Sequence, residues 1–177
     1  RFQVRLQKYE STMSEFLTLF DTLREAKEMG KEVLIILYDL SAAFDTVPHQ
    51  ILIEKLRLYG FGQLAIKWME SYLSERKQFV EISGKRSREQ EIDIGTPQGS
   101  RLSPLLFIIL MADLDLWTEN STLSNFADDT QSIIVRDNKK NLLETASSEA
   151  KCVIDFFRSN GLVNNADKAA VLYNGKG

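Results

Sequence analysis

The chain has 177 residues, of which 44% are apolar and 27% charged, and its formal net charge is −3. This length suffices for one domain with a hydrophobic core, and the charge argues against a surface that is entirely a nucleic-acid footprint. No apolar run reaches the roughly 18 residues of a membrane span, so no membrane partner is expected. The single cysteine, Cys152, excludes an internal disulfide and, with no signal-peptide pattern, favours an intracellular location in the nucleus or cytoplasm.

The first part of the chain predicts a helix followed by a buried strand. Thr12 and Glu15 resemble a capping box, and apolar residues at helical spacing follow, which predicts a helix over residues 12–29. Residues 32–39 form an apolar run of strand length that ends in Asp39. Because strands buried on both faces read as continuous apolar runs, we expect this strand to lie inside a sheet.

The middle of the chain predicts two helices and a basic hairpin. Helical spacing indicates helices over residues 50–59 and 63–75, and alternation over residues 78–83 predicts a strand that pairs with residues 88–94. His49 is the one histidine, so it is expected to be a polar helix-start residue rather than a zinc ligand. Basic residues around the hairpin form either a solvated face or a contact to phosphates; they are Arg76, Lys77, Lys85, Arg86 and Arg88.

A loop rich in glycine and proline follows the hairpin. Residues 95–104 hold two glycines and two of the three prolines of the chain, so the backbone shape is tightly set. The loop leads into a strongly apolar helix over residues 104–116, and Pro104 suits its first turn. Such a loop can approach a phosphate closely, although loops of this kind are frequent and the signal is weak alone.

Two adjacent carboxylates, Asp128 and Asp129, are predicted to lie at the tip of a β-hairpin. They stand between Phe126 and a strand-like run at residues 133–135. Aspartate is depleted inside strands and favoured in turns, which indicates a turn at this position. Taken alone, the pair is equally compatible with a polar turn that has no chemistry.

The last third of the chain predicts a long helix and two short strands. The helix is capped by Asp137 or Asn138 and runs to about Arg158, and the strands cover residues 162–163 and 171–173. Helices that alternate with hairpin-type strands predict an α+β fold, in which a small antiparallel sheet is backed by helices.

Carboxylates from two distant segments are predicted to meet. A buried strand that ends in Asp39, beside a hairpin that carries Asp128, would bring like charges together, and such charges repel unless a cation is present. Carboxylate oxygens are hard ligands that suit Mg²⁺ or Mn²⁺. The sequence therefore predicts a metal site formed by Asp39 and Asp128, with Asp129 as a third carboxylate.

Three ordered motifs resemble the reverse transcriptase domain of non-LTR (LINE-type) retrotransposons. Residues 38–47 resemble motif A of that family, residues 95–107 resemble motif B, and residues 126–129 resemble motif C. Residues 68–80, between the first two motifs, are also similar. The resemblance runs nearly from end to end and is very specific.

The resemblance implies an α+β fragment of a polymerase with palm and fingers, whose palm sheet carries the carboxylates. Within one partial domain over residues 1–177, residues 12–48 and 95–177 would be mainly palm, and residues 49–94 a fingers-like insertion. The sequence does not begin with Met, and the upstream fingers and the thumb of the family are expected to be missing from it. The grip of this fragment on nucleic acid should therefore be weak.

The resemblance implies an RNA-directed DNA polymerase that uses two Mg²⁺ ions, with Mn²⁺ possible in their place. Its partners would be an RNA template, a DNA primer and a dNTP, and nothing in the sequence indicates an oligomeric state. Catalytic and metal-binding roles fall to Asp39, Asp128 and Asp129. Nucleotide-binding roles fall to Leu40, Ser41, Ala42, Ala43, Phe44, Gln98, Gly99 and Lys168. Nucleic-acid-binding roles fall to Pro97, Gln98, Arg76 and Lys77.

Two of these residues carry specific roles by resemblance. Phe44 matches the aromatic residue that excludes a ribose 2′-hydroxyl by its bulk, although a plain core phenylalanine would give the same pattern. Lys168 matches a lysine that protonates the leaving pyrophosphate, and a surface lysine is the alternative. Asp45, six residues after Asp39, is interpreted as a turn or cap residue rather than a fourth acid.

Departures from the family pattern leave a second function open. Gln7 stands where the family has a basic residue, Asn164 replaces an apolar residue, and Ala169 replaces a hydroxyl residue. The alternative is a degenerate or domesticated remnant that binds RNA or protein without catalysis. An RNA-directed RNA polymerase is a third possibility, and Phe44 argues against it.

Overall fold

The computed structural model describes residues 12–126 and 129–175, and this part of the chain falls into two compact units. The described part of the sheet unit comprises residues 12–41, 112–126 and 129–175, and that of the helical unit comprises residues 42–111. In chain order the elements are α1 (Thr12–Glu28), β1 (Glu32–Tyr38), α2 (His49–Leu58), α3 (Gln63–Leu73), β2 (Arg76–Gln78), β3 (Glu81–Ile82), β4 (Lys85–Arg86), β5 (Gln90–Ile92), α4 (Ser103–Met111), β6 (Thr122–Phe126), β7 (Asp129–Arg136), α5 (Lys139–Ser159) and β8 (Ala170–Asn174).

The sheet unit is built on four antiparallel strands in the order β6-β7-β1-β8. The apolar strand β1 lies inside the sheet, with β7 on one side and β8 on the other. Residues 127–128 connect β6 to β7, and Asp129 is the first residue of β7. The predictions of a buried strand, a hairpin and a small antiparallel sheet backed by helices are confirmed.

Helices cover the two faces of this sheet to different extents. Side chains alternate between faces along a strand, so Val33 and Ile35 share one face of β1. Both pack with Ala26 of α1 in one buried cluster, which also takes in Ile133 of β7. On the opposite face Tyr38 packs edge-on against Phe157 of α5, with ring centroids 5.9 Å apart.

Local sequence signals account for the ends of α5. The Asn138 side chain accepts a hydrogen bond of 2.9 Å from the Asn141 N–H, which selects Asn138 from the two predicted caps. The helix ends at Ser159, and Gly161 follows with a φ of +69°, a conformation that favours glycine. None of the helices in the described ranges is long and apolar enough to cross a membrane.

The helical unit has a core that α2 shares with α3 and α4. Fully buried leucine and phenylalanine side chains fill this core: Leu52, Leu56, Leu73, Leu106, Phe107 and Leu110. The ammonium of Lys55 is also buried, and it donates a hydrogen bond to the Leu110 carbonyl near the end of α4. Cations are favoured at this end of a helix because the carbonyl groups point towards them.

Two predicted elements differ from the structure. The apolar helix ends at Met111 rather than at residue 116, because Asp113 takes φ −105° and ψ 7° and the chain tightens into a 3₁₀ turn at Leu114–Leu116. The basic hairpin is split into two short ladders, β2 with β5 and β3 with β4. Between them the Ser87 hydroxyl accepts the Val80 N–H, which interrupts regular pairing.

Candidate active site

The register of β1 and β7 brings two of the predicted carboxylates to the same end of the sheet. The register pairs Val33 with Val135 and ends with Tyr38 opposite Thr130. Carried one residue further, it sets Asp39 opposite Asp129, and directly opposed side chains have Cβ atoms about 4.5–5.5 Å apart. Asp128 lies outside the described residues, so its place at this site stays a prediction.

This end of the sheet is open, whereas the rest of the same face is covered. Val33 and Ile35 are buried beneath α1, but Leu37, the next residue on that face, is 36% exposed. The Asp39 side chain is 35% exposed, and Asp129 is exposed. The two carboxylates therefore remain accessible to a cation or a ligand at the end of a strand whose body is in the core.

Lys168, which the resemblance predicts to bind the nucleotide, lies beside Asp39. Its Nζ atom is 3.7 Å from Oδ2 of Asp39. The Asn165 N–H donates to the Asp39 carbonyl at 2.7 Å, and the Ser41 N–H donates to the Val163 carbonyl at 2.8 Å. These main-chain bonds hold the segment before Lys168 against the end of β1, so the position of the lysine does not depend on its ion pair.

The turn that carries Lys168 is formed by Asn165. Its side-chain oxygen accepts the Asp167 N–H at 3.2 Å, and its carbonyl accepts the N–H groups of Lys168 and Ala169 at 3.2 and 3.1 Å. Asparagine favours such turns because its short side chain bonds to the backbone two residues on. Leu40 pairs with Asn164 in an isolated bridge just before this turn.

The donor set at this end of the sheet fits a divalent cation. Asp39 and Asp129 supply carboxylate oxygens, which are the ligands that Mg²⁺ and Mn²⁺ prefer. Within residues 12–126 and 129–175, no three histidine, cysteine, aspartate or glutamate side chains gather into a metal-binding group. The third predicted carboxylate is Asp128, which is not among the described residues.

In the helical unit, Phe44 is held in place at both its ring and its carbonyl. The half-buried ring lies 5.0 Å from that of Phe107, centroid to centroid. The N–H and the hydroxyl of Thr96 both donate to the Phe44 carbonyl, at 2.8 and 3.3 Å. Phe44 begins the segment of residues 44–49, which bonds along its length to residues 94–98.

Glycine at position 95 allows these two segments to approach closely. A Cβ atom on Gly95 would lie 2.6 Å from the Asp45 carbonyl oxygen, and the residue has a φ of +83°. Its N–H donates to the Val47 carbonyl at 2.8 Å, and its carbonyl accepts from Nε2 of His49 at 2.6 Å. His49 is thus the first residue of a helix, as expected, and also joins the two segments.

Gln98 and Gly99, both predicted to contact the nucleotide, are exposed in the helical unit. The Gln98 amide nitrogen donates to both carboxylate oxygens of Asp45, at 3.0 and 3.2 Å. Gly99 has a φ of +77° with open space where a Cβ atom would be. Just before them, the Pro97 carbonyl accepts the hydroxyl of Ser103 at 2.6 Å.

Ala42, three residues before Asp45, adopts a conformation that L residues rarely take. Its φ is +48°, and its carbonyl accepts the N–H groups of Asp45 and Thr46 at 2.9 and 3.1 Å. A positive φ costs an alanine about 1–2 kcal/mol, and such strain is common at functional sites. Ala43 beside it is buried, whereas Ala42 is exposed.

The basic hairpin pairs several of its cations with glutamates. Arg76 is half-buried, and the ammonium of Lys77 is 3.9 Å from a Glu89 oxygen. Arg86 lies 2.7 Å from a Glu81 oxygen. These glutamates offset the positive charge, so the hairpin is a weaker phosphate contact than its basic residues alone indicate.

Sequence reasoning missed the residues that join the two segments of the helical unit. Asp45 lies in a turn, as predicted, and its N–H donates to the Ala42 carbonyl, but its bond to Gln98 is not predicted and Thr96 has no predicted role. Neither gives a local signal, because their partners are more than 50 residues away along the chain. A buried threonine beside a proline-containing loop is a hint only after the fold is known.

Comparison with known proteins identifies sequence relatives. Residues 2–176 match the family described as reverse transcriptase (RNA-dependent DNA polymerase). The chain is 28% identical over 137 residues to an RNA-directed DNA polymerase from the mobile element jockey of Drosophila melanogaster, covering 73% of this chain and 15% of that protein. It is 26% identical over 175 residues to a Pol polyprotein from the type-1 retrotransposable element R2 of Popillia japonica, covering 92% of this chain and 24% of that protein.

Solved structures share the fold. A telomerase from Candida albicans, in complex with a fragment of telomeric RNA, has a TM-score of 0.74 at 13% identity, over 99% of this chain and 32% of that chain. An apo telomerase from Candida tropicalis has a TM-score of 0.69 at 17% identity, over 95% of this chain and 36% of that chain. The fold is therefore that of a polymerase fragment, and the chain spans a minor part of each relative.

Proposed function

This chain belongs to the reverse transcriptase (RNA-dependent DNA polymerase) family, and we propose that it carries the polymerase active site of a non-LTR retroelement protein. The reaction is transfer of a nucleotide from a dNTP to the 3′-hydroxyl of a DNA primer on an RNA template. The relatives named for mobile elements support this assignment. Residues 12–48 and 95–177 would then be mainly palm, and residues 49–94 a fingers-like insertion.

The observation that supports the proposal is the register of β1 and β7, which ends with Tyr38 opposite Thr130, so that Asp39 directly follows β1 and Asp129 begins β7 at an open end of the sheet. Divalent metal ions are general for this family, and for this chain we propose two Mg²⁺ ions, which Mn²⁺ can replace. Asp39, Asp128 and Asp129 would hold them. When bound, such ions activate the attacking hydroxyl and stabilise the leaving oxygen of the displacement.

Lys168 and Phe44 have separate roles in this proposal. The Lys168 ammonium, held near Asp39, donates a proton to the leaving pyrophosphate. Phe44 fills the space that a ribose 2′-hydroxyl would need, and its contact with Phe107 and its bond from Thr96 keep the ring in place. An RNA polymerase has no use for such exclusion.

The remaining predicted residues would bind the substrates. The backbone of Leu40, Ser41, Ala42 and Ala43, with Gln98 and Gly99, would contact the nucleotide. Pro97 and Gln98 would contact the template backbone, and Arg76 and Lys77 would contact phosphates of the nucleic acid. Because Lys77 pairs with Glu89, we expect Lys77 to contribute less to binding than the other residues named here.

Primer extension on an RNA template tests the proposal in the longest natural form of the protein that contains this chain. Asp39→Asn should abolish extension with Mg²⁺, since an amide is a poor substitute for a carboxylate ligand. Asp137→Asn is the matched control, because Asp137 follows the other end of β7 and its side chain is 84% exposed. Equal extension by the two variants, or none by the unaltered protein, would favour the non-catalytic remnant.

A further inference from the structure

Asp45 and Gln98 form a hydrogen bond between two exposed side chains from segments that are 53 residues apart. The Gln98 Nε2 atom lies 3.0 Å from one Asp45 carboxylate oxygen and 3.2 Å from the other. Bonds between exposed polar groups add little to stability, because water competes for both partners. The pair therefore calls for a role other than holding the fold together.

The bond fixes which end of the Gln98 amide is free. An ionised carboxylate only accepts hydrogen bonds, whereas an amide has a donor end and an acceptor end. With Nε2 turned to Asp45, the Oε1 atom of Gln98 points away from that carboxylate. Gln98 then presents an acceptor to a ligand, which suits a hydroxyl or amino donor.

Backbone contacts hold the segments that carry Asp45 and Gln98 close together, so the position of Asp45 relative to Gln98 is fixed. Gly95 leaves no room for a Cβ atom against the Asp45 carbonyl oxygen. Thr96 bonds to the carbonyl of Phe44, the residue before Asp45. Together these contacts fix the backbone beside Asp45 and just before Gln98. The hydrogen bond between the two side chains therefore has only their rotamers to set.

We propose that Asp45 is a positioning residue for nucleotide binding, whose carboxylate orients the Gln98 amide so that its carbonyl oxygen faces the nucleotide. This inference rests on the proposed polymerase function and on the predicted contact of Gln98 with the nucleotide. Asp45 does not touch the nucleotide and holds no metal ion. Its effect passes entirely through Gln98.

Steady-state incorporation of one dNTP by the longest natural form of the protein tests this inference through four single variants and the double variant that combines Asp45→Ala with Gln98→Ala. Asp45→Ala should raise KM for the dNTP roughly three- to tenfold, the loss expected for one hydrogen bond, and leave kcat within about twofold. Asp45→Ala should add nothing to Gln98→Ala, because the two residues act as one unit. Asp45→Asn keeps an acceptor oxygen and should raise KM less than Asp45→Ala does. Asp93→Ala removes an exposed acid of the same unit and is the control.

Two kinetic outcomes would overturn the inference. A loss of kcat well beyond twofold that is as large in Asp45→Asn as in Asp45→Ala would mean that Asp45 acts by its charge, as a cation ligand does. Additive effects of Asp45→Ala and Gln98→Ala would mean that the residues act independently.

A second readout keeps this inference separable from the polymerase proposal. The side-chain amide signals of Gln98, assigned by their loss in Gln98→Ala, should shift in the NMR spectrum of Asp45→Ala and stay unchanged in Asp93→Ala. If incorporation never depends on Asp39, the polymerase proposal fails while a shifted amide signal still supports the bond. An unshifted signal in Asp45→Ala overturns the positioning role whatever the activity.

Discussion

The sheet unit and the helical unit hold their candidate site residues by different means. In the sheet unit, main-chain hydrogen bonds place both carboxylates, because Asp129 begins β7 opposite Phe126 and the Asp39 carbonyl accepts the Asn165 N–H. In the helical unit, side-chain bonds add to the main-chain ones, because the Thr96 hydroxyl also bonds to the Phe44 carbonyl and the Asp45 carboxylate accepts from Gln98. Substitutions should therefore displace the helical-unit residues far more easily than the carboxylates.

After the loss of extension predicted for Asp39→Asn, the next largest effect concerns Lys168, whose segment is placed in the sheet unit by main-chain bonds. Lys168→Ala should lower kcat about 100-fold or more, as expected for loss of a general acid. Thermal stability should not change, because the side chain is 67% exposed and an exposed ion pair contributes little. Single-turnover incorporation measures the effect, with Lys151→Ala on α5 as the control.

Lys168→Arg separates charge from proton donation. A guanidinium keeps the positive charge beside Asp39 but does not release a proton at neutral pH. The arginine variant should therefore remain nearly as slow as the alanine variant. Full activity in the arginine variant would reduce the role of Lys168 to charge, and full activity in both would make it a surface lysine.

The sequence predicts features that depend on local signals and does not predict those that depend on contacts between distant segments. Strand β1 and the cap at Asn138 are readable because periodicity and capping are local. The open end of the sheet is not, since it depends on how far α1 extends over Val33 and Ile35. The bond between Asp45 and Gln98 is invisible in sequence, because only the fold brings the two segments together.

Two glycines test whether close backbone packing keeps residues 44–49 and residues 94–98 of the helical unit together. Gly95→Ala should cost about 2–4 kcal/mol of unfolding free energy, since the new Cβ meets the Asp45 carbonyl and φ is positive. Gly99→Ala has a similar φ but open space, so it should cost only about 1–2 kcal/mol. Denaturant unfolding compares them, and equal costs would show that the segments can separate freely.

A smaller effect is expected for nucleotide choice at Phe44. Phe44→Ala should reduce the preference for dNTP over rNTP about tenfold or more, because bulk near the sugar is removed. Phe61→Leu, which changes an exposed phenylalanine of the same unit, is the control. The measurement is kcat/KM for the two nucleotides. An unchanged preference in Phe44→Ala would leave it as a plain core residue.

The smallest effect is expected for a side-chain change within β1 that leaves the main-chain hydrogen bonds intact. Tyr38→Phe removes the hydroxyl that meets the Ser132 hydroxyl at 3.1 Å and should cost about 0.5–1.5 kcal/mol. Incorporation should stay within about twofold, because Asp39 is held by the backbone. A large loss of activity without unfolding would contradict the contrast between the units.

The same variant has a defined pH dependence. Burial raises the pKa of Tyr38, opposed by its bond to Ser132 and aided by the charge of Glu149. A raised pKa means that the folded state prefers the protonated phenol, so this stability is present below the unfolded pKa of about 10 and is lost as pH rises above it. The stability advantage over Tyr38→Phe should narrow above about pH 10. A constant difference across that range would contradict the burial of the hydroxyl.

Binding of Mn²⁺ tests most directly whether Asp39 shares a divalent cation with the carboxylates at the start of β7. Titration of the chain with Mn²⁺ should broaden the NMR amide signals of Leu40 and Thr130 selectively. This broadening should disappear in Asp39→Asn and persist in Asp137→Asn. Equal broadening in the two variants, or none at this end of the sheet in the unaltered chain, would contradict the account.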